Sequence, residues 1–175
     1  LMSALYLSFA SIKKKILHKS IKKILLISGK NTYYKTGAKE KFRSILESKE
    51  TFLYIKNSTI PDYYELKKII NYKNLVKPDF IIAIGGGCVM DYAKICSVVN
   101  SQKNLKEKII NSDLFYGQKT KLLAIPTTAG SGSEVTSSAV IYVDKIKYSV
   151  EGSELIPNFY SLIPNFLLST NLKID

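Results

Sequence analysis

Two glycine-rich stretches contain the residue types that bind phosphate-containing ligands. The first is IIAIGGGCVMDYAK, residues 81–94, in which three glycines (Gly85 to Gly87) follow an apolar run and precede a helical pattern. The first amides of a helix have no intrahelical partners and carry partial positive charge, and glycines without Cβ let a pyrophosphate approach them closely. The dinucleotide fingerprint is met only in part, because Met90 occupies its last small position. The alternative is a tight turn with close strand–helix packing.

The second stretch is AIPTTAGSGSEVTSS, residues 124–138, which also leaves the end of an apolar run. Gly130 and Gly132 keep this loop open, and four hydroxyl side chains line it: Thr127, Thr128, Ser131 and Ser133. Two polar loops at the carboxyl ends of parallel strands are where open α/β sheets bind ligands. Taken alone, the stretch is more typical of a flexible Ser/Gly connector.

The elements that must position these loops follow from hydrophobic periodicity. Strands are predicted at residues 22–30, 51–55, 79–84 and 121–126. Helical spacing follows at residues 31–48, after Pro61 and at residues 89–99, and a β-hairpin around Asp144 and Lys145 is predicted over residues 137–150. The third strand has no polar alternation, which is typical of parallel sheets covered on both faces. The fold class is therefore α/β: a Rossmann-like, mostly parallel sheet with helices on both faces, plus the hairpin.

The composition favours a globular protein, with 46 % apolar and 23 % charged residues. The net charge is +12, and the densest lysines (Lys13–Lys15 and Lys22–Lys23) are predicted to form the solvated face of one amphipathic N-terminal helix. A nucleic-acid-binding domain is the rival that this charge raises, but no recognition motif supports a nucleic-acid partner. The positive field favours an anionic ligand such as a dinucleotide.

The two cysteines and the N-terminal residues indicate the cellular compartment in which we expect the protein. Cys88 and Cys96 form no CxxC pair, so neither a disulfide framework nor a zinc site is indicated and a reducing cytoplasm fits. The apolar residues 1–12 are shorter than the ~20 residues that span a bilayer, and they lack the basic region of a signal peptide. We therefore expect a cytoplasmic protein with no membrane partner.

Together, GGGCVMDYAK followed by IPTTAGSGSEVT resembles the iron-type (group III) alcohol dehydrogenase family, whose patterns are close to GGGSxxDxAK and PTTAGTGSE. The resemblance covers most of the chain and is strongest at residues 78–136. Glycerol dehydrogenases and dehydroquinate synthases share the fold and the glycines, but do not usually carry the second pattern. The resemblance implies an NAD(P)-dependent oxidoreductase that interconverts small alcohols and aldehydes by hydride transfer.

The resemblance also implies a cofactor-binding set. Gly86, Gly87 and the amide of Cys88 would bind the pyrophosphate, and Asp91 would lie near the nicotinamide ribose and the substrate. The remaining cofactor-binding residues come from the second stretch and the hairpin: Thr127, Thr128 and Ser131 on the adenosine side and the ribose, Thr136 in the same wall, and Lys147 at a cofactor ribose. For Lys147 the alternative is an exposed hairpin lysine.

The residues at the end of the first predicted strand, 27–31, bear on the choice between NAD(H) and NADP(H). Members that use NAD often place an acidic residue after the first strand, whereas this chain has ISGKN, with Gly29 at about that position and Lys30 next. Losing a carboxylate and adding a cation should accommodate a 2′-phosphate, so NADP(H) is expected to bind at least as well as NAD(H). This loop is also similar to that of members that reduce phosphonoacetaldehyde or other small anionic aldehydes.

Cys88 departs from the family pattern, which usually has Ser at this position. A thiol at a helix N-terminus tends toward a lowered pKa. The hypothesis is that Cys88 makes cofactor binding sensitive to oxidation or alkylation, and the alternative is a small buried residue.

The metal site is the largest departure. The family holds its iron or zinc with one Asp and three His of a helical C-terminal domain, whereas this chain has one histidine, His18, in the N-terminal helix. Asp175 does not align with the family's metal-binding Asp, and Ile163 stands where the linker usually has an aspartate. Residues 1–150 are thus expected to form the dinucleotide-binding domain and residues 151–175 a linker toward an all-helical domain that is absent.

A chain that starts at Leu1 and stops before the metal-binding domain is expected to be a fragment. It would carry no catalytic or metal-binding residue of its own and be inactive alone. The alternative is a non-catalytic dinucleotide-binding or interaction module. The sequence leaves a homo-oligomer open.

Overall fold

The structure is a computed structural model that describes residues 3–113, 119–128 and 130–167. Its first half alternates strands and helices in this order: β1 (Leu5–Tyr6), α1 (Phe9–Leu17), β2 (Lys23–Gly29), α2 (Lys30–Lys35), α3 (Ala38–Glu47), β3 (Glu50–Lys56) and α4 (Tyr63–Val76). The second half continues with β4 (Phe80–Gly85), α5 (Gly87–Val98), α6 (Leu105–Ile110), β5 (Lys121–Pro126), β6 (Ser138–Val143), β7 (Ile146–Glu151), a 3₁₀ turn (Ser153–Leu155), β8 (Phe159–Tyr160) and α7 (Pro164–Leu167).

Six of the eight described strands form one parallel sheet in the order β1-β8-β5-β4-β2-β3. From β2 the chain moves outward to β3, then returns to place β4 on the other side of β2. This reversal makes a topological switch point between the carboxyl ends of β2 and β4, where open sheets of this kind bind ligands. Every residue of β4 is buried, as its unbroken apolar run predicts.

Helices cover both faces of this sheet because side chains along each strand alternate between the faces. Leu25 and Ile27 of β2 pack in one core cluster with residues of α4 and α5. Ile24 and Leu26 pack on the other face with residues of α1 and α3. The predicted α/β class with two helical layers is confirmed.

The hairpin is confirmed as a separate antiparallel pair, β6 and β7. Asp144 and Lys145 make its turn with φ angles of 50° and 70°, as a two-residue hairpin turn requires. Ala139 and Ile141 are buried in the same cluster as α5. The hairpin is thus attached to the helix that follows the three glycines.

Three local predictions differ from the structure. α1 ends at Leu17, and Lys23 belongs to β2, so the lysine groups do not share one helix. The helical run at residues 31–48 breaks at Gly37, whose φ of 79° is left-handed. Pro61 precedes α4 rather than opening it, since Asp62 is the N-cap and its Oδ2 accepts from the Glu65 amide at 3.0 Å.

The segment after residue 150 packs against the sheet as far as the structure describes it. β8 lies between β5 and β1 and pairs with both. Phe159, Ile163 and Phe166 are buried with the side chains of α1 and α3. No helix of the described residues is long and apolar enough to cross a membrane.

Candidate dinucleotide-binding site

The two glycine-rich stretches meet at the carboxyl end of the sheet. β4 and β5 are neighbours in register, with Gly85 opposite Pro126, and the Thr127 amide donates to the Gly85 carbonyl at 3.0 Å. The loops that leave these two strands therefore lie side by side, next to the switch point. This register brings together the two loops that the sequence predicts to share one site.

The three glycines are required for different reasons. A Cβ on Gly85 would lie 2.5 Å from Cγ2 of Val89, and a Cβ on Gly86 would lie 3.1 Å from Oγ1 of Thr128. A Cβ on Gly87 would meet nothing closer than Ser131, at 3.8 Å. Packing thus excludes a side chain at Gly85 and makes one tight at Gly86, whereas a Cβ on Gly87 would make only ordinary contacts with Ser131.

The N-terminus of α5 supplies hydrogen-bond donors. Gly86 is the N-cap residue and has no side chain to cap the helix. Its carbonyl accepts from the amides of Val89 at 2.9 Å and Met90 at 3.1 Å. The amides of Gly87 and Cys88 precede these and have no acceptor in the preceding turn, so they are available to an anion.

The hypothesis of an activated Cys88 thiol is wrong in direction. Burial raises the pKa of the Cys88 thiol to about 11, and the nearby Lys56 ammonium offsets this only in part. Burial disfavours the thiolate more than the Lys56 cation stabilises it. The alternative of a small, largely buried residue describes Cys88 better.

Asp91 lies one turn into α5 and faces the second stretch. The Ser133 hydroxyl donates to its Oδ1 at 3.3 Å. Burial raises the pKa of the Asp91 carboxyl, while the charges of Lys94 and Lys147 act to lower it. Lys147 is exposed on β7, and its ammonium is near enough to act on the carboxylate. Lys147 is therefore an exposed hairpin lysine that also lies near Asp91.

Sequence reasoning missed Lys94, which is fully buried. Its Nζ donates to Oγ1 of Thr136 at 2.9 Å and to the Ser138 carbonyl at 2.8 Å. Burial lowers the pKa of Lys94 to about 8, against the opposing effect of Asp91 and Glu134. Lys94 ties α5 to the start of the hairpin, and the Thr136 hydroxyl is occupied by this bond. Its place in the DYAK segment was the available signal.

The hydroxyls of the second stretch divide into two groups. Thr128 and Ser131 are exposed and lie next to Gly86 and Gly87, respectively. Thr127 is buried, with 4 % of its surface exposed. The structure therefore brings Thr128 and Ser131 to the N-terminus of α5 and leaves Thr127 buried.

A second unpredicted feature is the anchoring of the loop that follows β3. The Tyr92 hydroxyl lies 2.7 Å from the Ser58 hydroxyl and accepts from the Asp62 amide at 2.5 Å. The Glu65 carboxylate accepts from the Tyr54 hydroxyl at 2.9 Å and from the Ser58 amide at 2.9 Å. These bonds fix a loop that borders the switch point, so Tyr92 and Glu65 are positioning residues.

The loop between β2 and α2 has room for a side chain at Gly29, the position that bears on the choice between NAD(H) and NADP(H). Gly29 has an extended backbone and is the N-cap residue of α2. A Cβ there would make ordinary contacts, 3.7 Å from Oγ1 of Thr32 and 3.9 Å from Cε of Lys56. Lys30 is exposed at the start of α2. No packing requirement therefore demands glycine at residue 29.

Metal ligands were not expected within this chain. Within the described residues no group of three or more His, Cys, Asp or Glu side chains could hold a metal ion. His18 caps the C-terminus of α1, where its Nδ1 lies 2.8 Å from the Ser20 hydroxyl. Ile163 is buried, and Asp175 lies outside the described residues. No chemical step is therefore assigned to a metal ion here.

Comparisons with known proteins agree with this geometry. The family model described as iron-containing alcohol dehydrogenase matches residues 8–164. An alcohol dehydrogenase from Thermococcus barophilus is 31 % identical over a 170-residue alignment that covers 81 % of this chain and 45 % of that protein.

Two solved structures share the fold. The NADH-dependent butanol dehydrogenase A of Thermotoga maritima has a TM-score of 0.82 and 18 % identity, covering 97 % of this chain and 44 % of that one. Sulfoacetaldehyde reductase from Bifidobacterium kashiwanohense, in complex with NAD⁺, has a TM-score of 0.82 and 18 % identity, covering 97 % and 46 %. The chain spans less than half the length of each of these three proteins.

Proposed function

The chain belongs to the iron-containing alcohol dehydrogenase family, and we propose that it is the dinucleotide-binding half of an NAD(P)-dependent oxidoreductase. The reaction is the interconversion of a small alcohol and the corresponding aldehyde, in which the bound nicotinamide exchanges a hydride with the substrate carbon. The observation that carries the proposal is that the uncapped N-terminus of α5, at Gly86 and Gly87, lies against the Thr128 and Ser131 side chains of the second stretch.

The pyrophosphate is assigned to the N-terminus of α5. Gly86, Gly87 and the Cys88 amide bind its oxygens, because backbone donors and the positive helix end favour an anion. Thr128 and Ser131 extend this contact from the opposite loop, toward the adenosine ribose. Thr127 lies beneath these two residues, and its amide donates to the Gly85 carbonyl at the end of β4.

Asp91 and its neighbours form the nicotinamide end of the proposed site. The Asp91 carboxylate accepts hydrogen bonds from the nicotinamide ribose, and Ser133 fixes the carboxylate's orientation. Lys147 supplies a cation near this ribose, and Thr136 contributes through the wall that Lys94 holds in place. No residue of this chain is assigned to proton transfer.

The cofactor is proposed to be NADP(H) at least as readily as NAD(H). Gly29 presents no carboxylate to the adenosine ribose, and Lys30 adds a cation beside it. A 2′-phosphate is therefore not repelled at this position. The substrate is a small alcohol or aldehyde, and the net charge of +12 favours an anionic one. The free cysteines fit a reducing cytoplasm as the location.

A second candidate is a non-catalytic dinucleotide-binding or interaction module. It is favoured by the lack of a metal-binding cluster among residues 3–113, 119–128 and 130–167. Both candidates keep the cofactor site, and they differ in whether hydride transfer takes place. Turnover by the complete protein, with a small aldehyde and NADPH, separates them.

The test of the cofactor site is a titration of the 175-residue chain with NADPH and NADH, followed by nicotinamide fluorescence. We expect saturable binding that is lost in Gly87→Asp, because a carboxylate would occupy the proposed phosphate site. Ser44→Asp, on the exposed side of α3, introduces the same charge elsewhere and should leave binding unchanged. Absence of binding to either cofactor would overturn the proposal.

A further inference from the structure

A cavity of about 1070 Å³ opens at the amino-terminal end of the sheet, opposite the glycine-rich stretches. Its walls are residues that precede or begin β2, β4 and β5, together with the C-terminal ends of α1 and α4. It is therefore separate from the proposed dinucleotide site, which lies at the carboxyl ends of the same strands. We call it the basic cleft.

Positive charge dominates the basic cleft. The lysines that line it are Lys14, Lys15, Lys73, Lys77, Lys119 and Lys121. Asp79 is the acidic residue among its described lining residues, and its Oδ2 accepts from the amides of Lys22 and Lys23 at 2.9 Å each. These backbone bonds lower the pKa of Asp79, so its carboxylate stays ionised but is already engaged. Six lysines and one engaged carboxylate thus line the cleft.

Three of the six lysines serve the fold. Lys73 is buried and donates to the carbonyls of Cys96 and Val99, at 2.8 and 2.9 Å, and to Oδ1 of Asn100 at 2.7 Å. Lys119 donates to the Ile156 carbonyl. The Lys15 ammonium lies 4.5 Å from the centre of the Phe159 ring. Protein carbonyls and a ring thus engage these groups, and burial lowers the pKa values of Lys73 and Lys119.

The other three, Lys14, Lys77 and Lys121, form no ion pair within the part of the chain that the structure describes. All three are exposed at the cleft. Like charges held together repel one another, so an anion bound among them would lower the free energy of the folded state. Hydroxyls of Ser11, Ser20 and Thr120 provide further donors in the same cavity.

We propose that the basic cleft binds a small multivalent anion with two or three linked phosphate groups. The cavity volume is close to the range of about 300–1,000 Å³ in which proteins hold small molecules. Several lysines at once match linked phosphates better than a single carboxylate. The concave shape favours such a compact ligand over a nucleic-acid duplex, which needs an extended basic surface.

The test is calorimetric titration of the 175-residue chain with inorganic tripolyphosphate at constant ionic strength. NADPH is present at saturation, so that the dinucleotide site is filled; the Gly87→Asp variant removes that site instead. We expect one tripolyphosphate per chain under both conditions. The double substitution Lys14→Gln and Lys121→Gln should weaken binding about tenfold, since each lost charge removes roughly a threefold effect at such distances.

The matched control is the double substitution Lys68→Gln and Lys103→Gln, which changes the net charge equally at exposed residues outside the cleft. Its affinity for tripolyphosphate should stay within twofold of the unchanged chain. Equal weakening in both double variants would overturn the proposal, because net charge alone would then explain binding. Absence of tripolyphosphate binding would also overturn it, as would displacement of the ligand by a DNA duplex at lower concentration.

Discussion

A Cβ atom on Gly85 would lie 2.5 Å from Cγ2 of Val89 and 2.7 Å from its Cβ, closer than real side chains approach. The end of β4 and the first turn of α5 are therefore packed directly on each other. This contact fixes the position of the helix N-terminus at Gly87. The three glycines divide between this packing role and the proposed phosphate site.

Gly85→Ala should destabilise the chain by roughly 1–3 kcal/mol, because the added methyl group overpacks the strand–helix contact. Gly87→Ala should change the free energy of unfolding by less than about 1 kcal/mol, since its methyl group has room and alanine favours a helix. Urea unfolding measures both changes.

The pair Gly85 and Val89 also permits a double-mutant cycle. Val89→Ala removes Cγ1 and Cγ2, at 3.1 and 2.5 Å from the new Cβ, although its own Cβ remains at 2.7 Å. It should therefore cost less in the Gly85→Ala background than in the unchanged chain. Additive costs would show that the destabilisation comes from elsewhere.

Gly29→Asp should shift cofactor preference from NADPH toward NADH. The carboxylate would repel a 2′-phosphate and accept from a ribose hydroxyl, and residue 29 has space for the side chain. We expect NADPH affinity to fall about tenfold or more, in line with one charge repulsion in a partly buried site. Parallel fluorescence titrations with both cofactors measure the ratio.

Gly29→Asn is the matched control for this change, because it adds nearly the same volume without the charge. It should leave the NADPH to NADH ratio nearly unchanged. An equal shift in both variants would mean that side-chain volume, not charge, sets cofactor preference.

Much of the sheet and the meeting of the two loops could be predicted from the sequence. β4 and β5 are unbroken apolar runs, and such runs are typical of central parallel strands. Adjacent parallel strands bring their carboxyl ends together, so the loops at Gly85 and Pro126 had to lie near each other. The hairpin followed from two short apolar runs around Asp144 and Lys145.

Other features depend on long-range contacts that local patterns do not encode. β8 has two residues, too few for any periodicity, and exists because Phe159 and Tyr160 pair with β5 and β1. Lys94 and Lys73 would be assigned to solvent by residue type, yet carbonyls from other segments satisfy them in the core. The Cys88 pKa is also set by burial, which the sequence did not show.

Cys88 should react slowly with iodoacetamide at neutral pH. Burial raises its pKa to about 11 from the ordinary value of 9.0, which leaves about 100-fold less thiolate at pH 7.5. Lys56→Met should slow the reaction further, because the cation that partly stabilises the thiolate is lost. Mass spectrometry of the Cys88 peptide between pH 7 and 10 gives the rate profile.

A Cys96→Ala background restricts the chemistry to Cys88, and glutathione in the same tube serves as the reference thiol. The Cys88 rate should keep rising beyond the pH at which glutathione has levelled off. Labelling faster than glutathione at pH 7.5 would contradict the raised pKa and restore the oxidation-sensitive hypothesis.

Lys94 should make stability rise with pH in a window that the structure defines. Burial lowers its pKa in the folded chain to about 8 from the ordinary value of 10.5. Between these values the unfolded chain binds more protons than the folded chain, so the free energy of unfolding increases with pH. Below about pH 8 Lys94 is protonated in both the folded and the unfolded chain. The cost of burying its charge then lowers the free energy of unfolding by a constant amount.

The measurement is urea unfolding of the unchanged chain and Lys94→Met from pH 6 to 10.5. Taking the difference cancels the shared titrations of Lys73 and Lys119, whose pKa values burial also lowers. The stability advantage of the unchanged chain should be flat below pH 7 and grow by on the order of 1–3 kcal/mol across the window.

A neutral Lys94 amine keeps two N–H donors, which match its two acceptors on Thr136 and Ser138. The wall of the proposed site should therefore remain intact as the proton leaves, and NADPH affinity should not collapse between pH 8 and 9. Lys68→Met, at an exposed residue of α4, controls for loss of a lysine and should give a flat difference. A flat difference for Lys94→Met as well would show that Lys94 titrates normally.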